Sequence, residues 1–592
     1  MITTLLGLIL LAIPFVLLSL FKDKKRGFIY ILFFLAVFHT VLALTTQSFG
    51  VFYYWVVASI SLLADAVLLL WAFRNYKKIS LKLKATDWFL LAVILISFLS
   101  LYQVHYNYTG KINLATDQTV SYHEVKNMEY TYPYFSDEWY SVLLIKNSIT
   151  SHSLPVNGFD GVFFPNLEIF FHSLLSEMTL IIGLDPLTQY VILSIFISVL
   201  VIVLSYMFLR ISNVSKFSSA LASLSILYIA SGANLPGIWN LIPVNMGVLF
   251  FLIGFCFLAM GSLTLGTLAL TLAAIFYPPF LIFSVTTIIA VLLHKFFQDK
   301  NKMLKAVSSV FAGLLAMVLI FYAMLMFSPY ADFISKLSQR IIYISFLGQN
   351  MPQFNPFSII PWQIILSAIV GIPFVYKNKK WLFYTFLLLT VFWFFYSMII
   401  YRLVIEYEKI VFFASMIAVL IAGFGFDRIV NYFELKVQKA RIIWLKWAEI
   451  AILCLFAVFL PFYTQRESWN KLVLVSQANG AVFYPKSPAN NYLVPDDLRV
   501  FKDIKNKKFL SIPWKGTVIG VATDNYPAIT KEGTISVGNE VDAYAFSGFD
   551  CKGKTEIAKK YGVDYVYMYS FDCPEFSKID ASKEGFILYK FK

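Results

Sequence analysis

Charge is scarce in this sequence. Only 14% of its 592 residues are Asp, Glu, Lys or Arg, against 59% hydrophobic, and the mean hydropathy is +0.72. That poverty excludes a disordered chain or an ordinary water-soluble one. The apolar runs recur almost end to end at about 18 to 26 residues and lack the alternation of a strand, which excludes a transmembrane β-barrel and leaves helices that satisfy their own backbone hydrogen bonds. No basic leader precedes the first run, 2–21, and KDKKR follows it, so no cleavable signal peptide is expected. Cysteine is rare too, at four residues. Cys256 and Cys454 fall inside apolar runs, where a thiol is an inert small hydrophobe. Cys551 and Cys573 lie in a polar C-terminal stretch, each in an FDC context, where an outward location permits a disulfide. A formal net charge of +14 would suggest nucleic acid in a soluble chain. Here the cations cluster in short connections between apolar runs, where they orient a membrane protein; membrane lipids, not nucleic acid, are the expected surroundings.

What is present is a series of spans, read near 2–21, 27–46, 51–73, 87–104, 187–209, 217–234, 241–260, 263–278, 280–297, 303–328, 357–376, 381–401, 408–427 and 444–463. The basic connections are KDKKR (22–26), RNYKKISLKLK (74–84), RISNVSK (210–216), HKFFQDKNKMLK (294–305), KNKK (377–380) and DRIVNYFELKVQKAR (427–441). All fall on one side if the greasy stretch FPNLEIFFHSLLSEMTLIIGL, 164–184, is not a full span, giving roughly 23 Lys/Arg inside against roughly 6 in the outward loops. Counting it as a span flips the later basic loops outward. The charge rule therefore places 164–184 along the outer surface, or dipping in and returning. Glu168, His172 and Ser176 recur at i, i+4 and i+8 on one helical face, which suits a membrane-surface helix with solvated polar groups or a face lining a reaction cavity.

On this reading the chain is a polytopic α-helical membrane protein of about 14 transmembrane helices, in the plasma membrane, with both termini extracytoplasmic. A three-helix extension occupies 1–86 and the main transmembrane region 87–463, with outward loops at 105–186 and 329–356. After about residue 464 the composition turns polar. Strand-like runs (TVIGVAT, TISV, DYVYMY, GFILYKF) and a helical stretch, KTEIAKKYGV, predict a small extracytoplasmic α/β domain over 464–592. Two ionisable residues fall inside the first three spans, His39 and Asp65; at comparable depths on adjacent antiparallel helices they are expected to satisfy one another. Asn107 begins an N-Y-T sequon in the outward loop.

The first outward loop also carries TYPYFSDEWYSVLLIKNSI. Asp137 and Glu138 open a helix expected over 138–150, with Trp139 and Tyr140 following. Either acid, or Ser136, could simply cap that helix, since its first turn favours negative charge. The doublet is followed by an SLP turn (Ser153, Leu154, Pro155), an FFPN segment (Phe163 to Asn166) and a greasy stretch ending in GLDP (Gly183 to Pro186). That succession resembles the GT-C superfamily of polyprenyl-phosphate-dependent membrane glycosyltransferases, and the DE pair is similar to that of protein O-mannosyltransferases and lipid A aminoarabinose transferases. The resemblance covers roughly residues 87–463. It implies a GT-C-like fold whose acidic loop is extracytoplasmic, and transfer of a sugar from a polyprenyl-phosphate-linked donor, as co-substrate, to a protein, glycan or lipid acceptor with inversion. It further implies Asp137 as general base with Glu138 orienting the acceptor.

A lipid-phosphate leaving group departs without a proton, so one base aided by cations suffices. The cations at the outer face are Lys336, Arg340, Arg402 and Lys409, with Arg the better fork for a phosphate. Glu168, His172 and Tyr140 are the expected cavity lining. Two features depart from the best-known members: Trp139 follows the doublet, and the acidic loop has no DxD, which weakens the oligosaccharyltransferase branch. No extracytoplasmic His/carboxylate cluster has metal spacing, so neither a metal nor a tightly bound cofactor is expected; Glu168 and His172 read as a hydrogen-bonded pair. A lipid or sugar transporter or flippase would place its polar groups at the midplane and show internal repeats; apart from His39 and Asp65 the polar residues lie outside. A non-catalytic scaffold is the remaining alternative.

Overall fold

The computed structural model describes residues 2–19, 24–74, 87–106, 108–116, 119–128, 131–133, 136–164, 166–229, 241–297, 303–315, 360, 362–399, 407–440, 451, 455, 493, 495–530, 537–582 and 585–592. The apolar runs become helices: α1 (Ile2–Ser19), α2 (Lys24–Ser48), α3 (Tyr54–Arg74) and α4 (Trp88–Tyr106). An antiparallel hairpin follows, β1 (Tyr108–Thr116) and β2 (Thr119–Met128), then α5 (Ser136–Ser151) and α6 (Ile169–Ile182). The main bundle continues with α7 (Tyr190–Ile211), α8 (Lys216–Leu224), α9 (Pro243–Ala259), α10 (Leu263–Phe276), α11 (Phe280–Phe296), α12 (Met303–Leu315), α13 (Trp362–Asn378), α14 (Lys380–Ile399) and α15 (Tyr407–Ala440).

Among the described residues four helices are long and apolar enough to cross a membrane: Gly27–Ser48, Tyr54–Arg74, Tyr190–Ile211 and Ile410–Tyr432. Shorter apolar helices accompany them. Over its described part, to residue 229, the run expected to span 217–234 gives the nine-residue α8 and a short 3-10 turn, Ser225–Tyr228. The span expected at 444–463 lies outside the described residues apart from 451 and 455. The helix α3 is the most peripheral of the four and turns Leu62, Leu63, Val67 and Leu70 outward, each more than half exposed. A face of that kind is stable against lipid tails and costly against water.

Small residues set the closest helix crossings. A Cβ at Gly371 would lie 2.2 Å from the Ile421 carbonyl oxygen, and one at Gly425 1.9 Å from that of Ser367, so α13 and α15 touch backbone to backbone. Gly254 and Gly266 make room between α9 and α10 for the side chains of Leu270 and Leu258. Where lipid is as apolar as leucine, such close approach replaces hydrophobic driving force with dispersion.

The polar C-terminal part folds as a mixed α/β domain. It contains α16 (Pro495–Val500), β3 (Lys508–Ser511), α17 (Pro513–Ala522), β4 (Tyr526–Pro527), α18 (Glu540–Phe546), α19 (Cys551–Tyr561), β5 (Tyr565–Tyr569), β6 (Phe576–Ala581) and β7 (Phe586–Phe591). The sheet order is β4-β3-β5-β7-β6, parallel from β4 through β5 and antiparallel beyond. DYVYMY and GFILYKF supply β5 and β7 as expected, and KTEIAKKYGV lies in α19. The run TVIGVAT is a correction: residues 517–522 end α17, because Pro513 starts a helix at its first turn and the segment is buried on all sides, leaving no solvent face to alternate. Most of TISV lies outside the described residues. Cys551 and Cys573 form the expected disulfide, tying the start of α19 to the loop before β6.

Candidate functional site

The acidic doublet occupies the first turn of α5, where the exposed N–H groups favour carboxylates. Its two members have different surroundings. Glu138 is 1% exposed and its Oε1 accepts the Leu241 N–H at 2.7 Å. The Leu241 carbonyl in turn accepts the hydroxyl of Tyr190, the first residue of α7, at 2.5 Å. Glu138 thus fastens α5 to the starts of α7 and α9. Asp137 is half-exposed beside it. Trp139 is buried against Tyr132, ring centroids 6.5 Å apart.

Behind the doublet the SLP and FFPN segments are bonded into one small hairpin. The Asn157 and Phe163 backbones bridge antiparallel, the Phe164 N–H donates to the Val156 carbonyl at 2.6 Å, and Asn166 Nδ2 donates to the Pro155 carbonyl at 2.8 Å. Asn147 on α5 donates to the carbonyls of both Asn157 and Gly158, so the hairpin is seated on the helix that carries the acids. Asn166 was visible only as part of FFPN, with no role attached; its partner positions show that it welds the two motifs.

His172 links this hairpin to α5. Its Nδ1 lies 3.1 Å from Asn166 Nδ2 and 3.0 Å from the Glu168 carbonyl, and its Nε2 lies 3.2 Å from the Ser141 hydroxyl, which donates to the Asp137 carbonyl. Burial holds the imidazole neutral, with its pKa pushed down to about 3. Glu168 sits half-buried just before α6, its N–H held by Asn166 Oδ1. His172 is therefore an internal strut, and its relation to Glu168 is a backbone contact rather than the side-chain pair expected. Tyr140, also expected to line a cavity, is 4% exposed and bonds Thr517 of α17, with Trp514 facing its ring at 6.5 Å. Burial and the nearby Asp137 raise its pKa. Lys146 reaches Asp524 at 3.4 Å, and Phe159 fills the space a side chain at Gly520 would need. The C-terminal domain is thus docked on α5.

The position of α6 corrects the surface-helix expectation. Its 14 residues rise about 21 Å, short of a bilayer's hydrocarbon core of about 30 Å. Yet twelve of them are buried, packed against α1, α2 and α3 as well as α5. A Cβ at Gly7 of α1 would lie 2.0 Å from the Ile181 carbonyl oxygen. Glu177 is fully buried and its Oε1 lies 2.7 Å from His39 Nδ1 on α2. His39 thus hydrogen-bonds Glu177, while Asp65, its expected mate, reaches it only as a neighbouring charge; Asp65 Oδ2 has no hydrogen-bond partner among the described residues. The three leading helices, whose place is opaque in the sequence, pack around α6.

Of the four expected phosphate ligands, Lys336, Arg340 and Arg402 lie outside the described residues; Lys409 falls in the first turn of α15, its backbone alone described. Asn107 also lies outside them. The contacts of Gln47 with Ser148, His152 with the Phe52 carbonyl, and Glu138 with Leu241 put α5, α6 and the docked C-terminal domain at one end of the helical bundle.

No protein-family model matches the chain, and no curated protein does. Among solved structures, the crystal structure of the Archaeoglobus fulgidus oligosaccharyltransferase, tethered through a disulfide bond to an acceptor peptide containing the NVT sequon, is similar at a TM-score of 0.45 and 12% identity, over 81% of this chain and 69% of that one.

Proposed function

We propose that the protein is a membrane glycosyltransferase that moves a sugar from a polyprenyl-phosphate donor to an extracytoplasmic acceptor hydroxyl with inversion. The observation that carries this reading is the division of labour in the doublet: Glu138 is buried and bonds the Leu241 backbone, while Asp137 is only half-buried, on a turn braced by Ser141, His172 and Asn166. In this reading Asp137 takes the acceptor's proton as its oxygen attacks the anomeric carbon. The bond to phosphate breaks with its electron pair on the phosphate oxygen, which leaves as an anion and needs no acid. Glu138 acts as a positioning residue, a narrower part than orienting the acceptor. Arg340, Arg402, Lys336 and Lys409 are the proposed cations for the departing phosphate, without a tightly bound cofactor. Placing both termini and the docked domain outside the cell belongs to the same proposal, as does the division at residues 86 and 463.

Purified protein should transfer label from a polyprenyl-phosphate sugar, and Asp137→Ala should lower turnover at least about 100-fold while leaving the thermal unfolding profile intact. Unchanged turnover in that variant would remove Asp137 from the mechanism.

A further inference from the structure

At the other end of the bundle, where α7 and α15 finish their apolar runs, lies a cavity of about 460 Å³, within the range of small-ligand sites. Tyr190 and Ser212 bracket α7, so this cavity is about 33 Å from the acidic doublet's end by helix rise. Lys379 and Arg428 line it, with the amides of Asn213 and Asn378 and the hydroxyl of Ser212.

Among the described residues the two cations are not spent elsewhere. Lys379 Nζ has a single long bond, 3.4 Å to the Ala259 carbonyl, which leaves two of its three donors. Burial lowers its pKa from the ordinary lysine value. The Arg428 guanidinium lies 4.1 Å over the Phe374 ring, a contact that fixes its plane without using an N–H, and it makes no hydrogen bond to the described residues. Ser212 is 6% exposed and its hydroxyl has no partner among the described residues. The acid in the wall, Asp427, is already engaged: one oxygen accepts the Ser215 N–H at 2.9 Å and the other Asn431 Nδ2 at 3.2 Å. What remains is a fork, an ammonium, a hydroxyl and amides with donors to give, which is the chemistry that recognises a phosphate ester.

We propose that this cavity binds the phosphate of an anionic lipid headgroup, with Lys379 and Arg428 as its charged ligands. Its level in the bundle favours a lipid over a dissolved phosphate: the spans Tyr190–Ile211 and Ile410–Tyr432 end beside it, and the connections there are basic. The inference does not depend on the transferase reading, since the cavity and the doublet share no residue.

The test uses the full chain in detergent with added dioleoyl phosphatidylglycerol, with lipid adducts read by native mass spectrometry. The wild type should retain the lipid, and Lys379→Gln with Arg428→Gln should weaken retention at least about 10-fold. Arg428→Lys, which keeps the charge and loses the fork, guards against misfolding and should show an intermediate loss. Lys552→Gln, exposed on the C-terminal domain, should change nothing. Displacement of the lipid by inorganic phosphate would support the phosphate site but assign it to a dissolved ester. Equal retention by the wild type and both pocket variants would overturn the proposal.

Discussion

The helical bundle and the C-terminal domain each bury an ionisable pair, and they finish it differently. In the C-terminal domain Lys515 and Asp497 are almost wholly enclosed; Asp497 takes the lysine on Oδ2 and the Tyr567 hydroxyl on Oδ1 at 2.8 Å, so neither oxygen is left over. In the bundle Glu177 meets His39 through one oxygen, while Glu177 Oε2 and Asp65 Oδ2 have no hydrogen-bond partner among the described residues. The first pair joins α16, α17 and β5 as a completed network. The second is a single bond that seats α6, with spare polar capacity around it. A charge is worth keeping in a dry interior only when all its partners are present, so the two pairs should respond oppositely to losing charge.

The sharpest break of the comparison is Lys515→Met. It strands the Asp497 charge and should cost about 3 to 5 kcal/mol, seen as a lowered melting temperature of the C-terminal domain, with Asp497→Leu in the same chain restoring most of it. Next comes acid. His172 is held below its ordinary pKa of 6.5 at about 3, so the folded state binds fewer protons than the unfolded state between those values. Its contribution is complete above pH 6.5 and falls away as the pH drops toward 3, up to about 5 kcal/mol. Unfolding measured from pH 7 to 4 should show a shallower slope in His172→Gln.

Glu138→Ala should destabilise by about 1 to 3 kcal/mol, because the buried Leu241 N–H loses its acceptor; Glu138→Gln, which keeps an oxygen in place, should recover it. The smallest effect is reserved for the bundle's pair. Glu177→Gln preserves an acceptor for His39 and removes a charge with one unanswered oxygen, so its cost should stay under about 1 kcal/mol in thermal unfolding. A loss equal to that of Lys515→Met would end the distinction between the two regions.

These contrasts also mark what the sequence could convey. Helix positions were legible because an apolar run of some twenty residues admits little else, and the α5 start was legible in SDEW. The depth of α6 was not: Glu168, His172 and Glu177 look like solvent markers, and the residue that answers Glu177 stands 138 positions upstream in an unrelated run. For the same reason Asp65 seemed the natural mate for His39, since both sat in neighbouring spans. TVIGVAT looked like a strand because threonine and glycine alternate with valine and isoleucine, whereas burial on every side removes the face that alternation would report. The disulfide was legible because two cysteines shared one outward stretch. In the doublet the sequence offered two equal acids, and only packing separates the one bound to Leu241 from the one half-exposed.

The seating of α6 has a consequence for assembly. Chains grow from the amino end, so α1, α2 and α3 are made before the segment that packs among them. His39 is therefore in place when Glu177 arrives, and a carboxylate that must be buried finds its receptor already built. Deleting the leading helices should leave α6 without that seat, a defect of biogenesis rather than of chemistry.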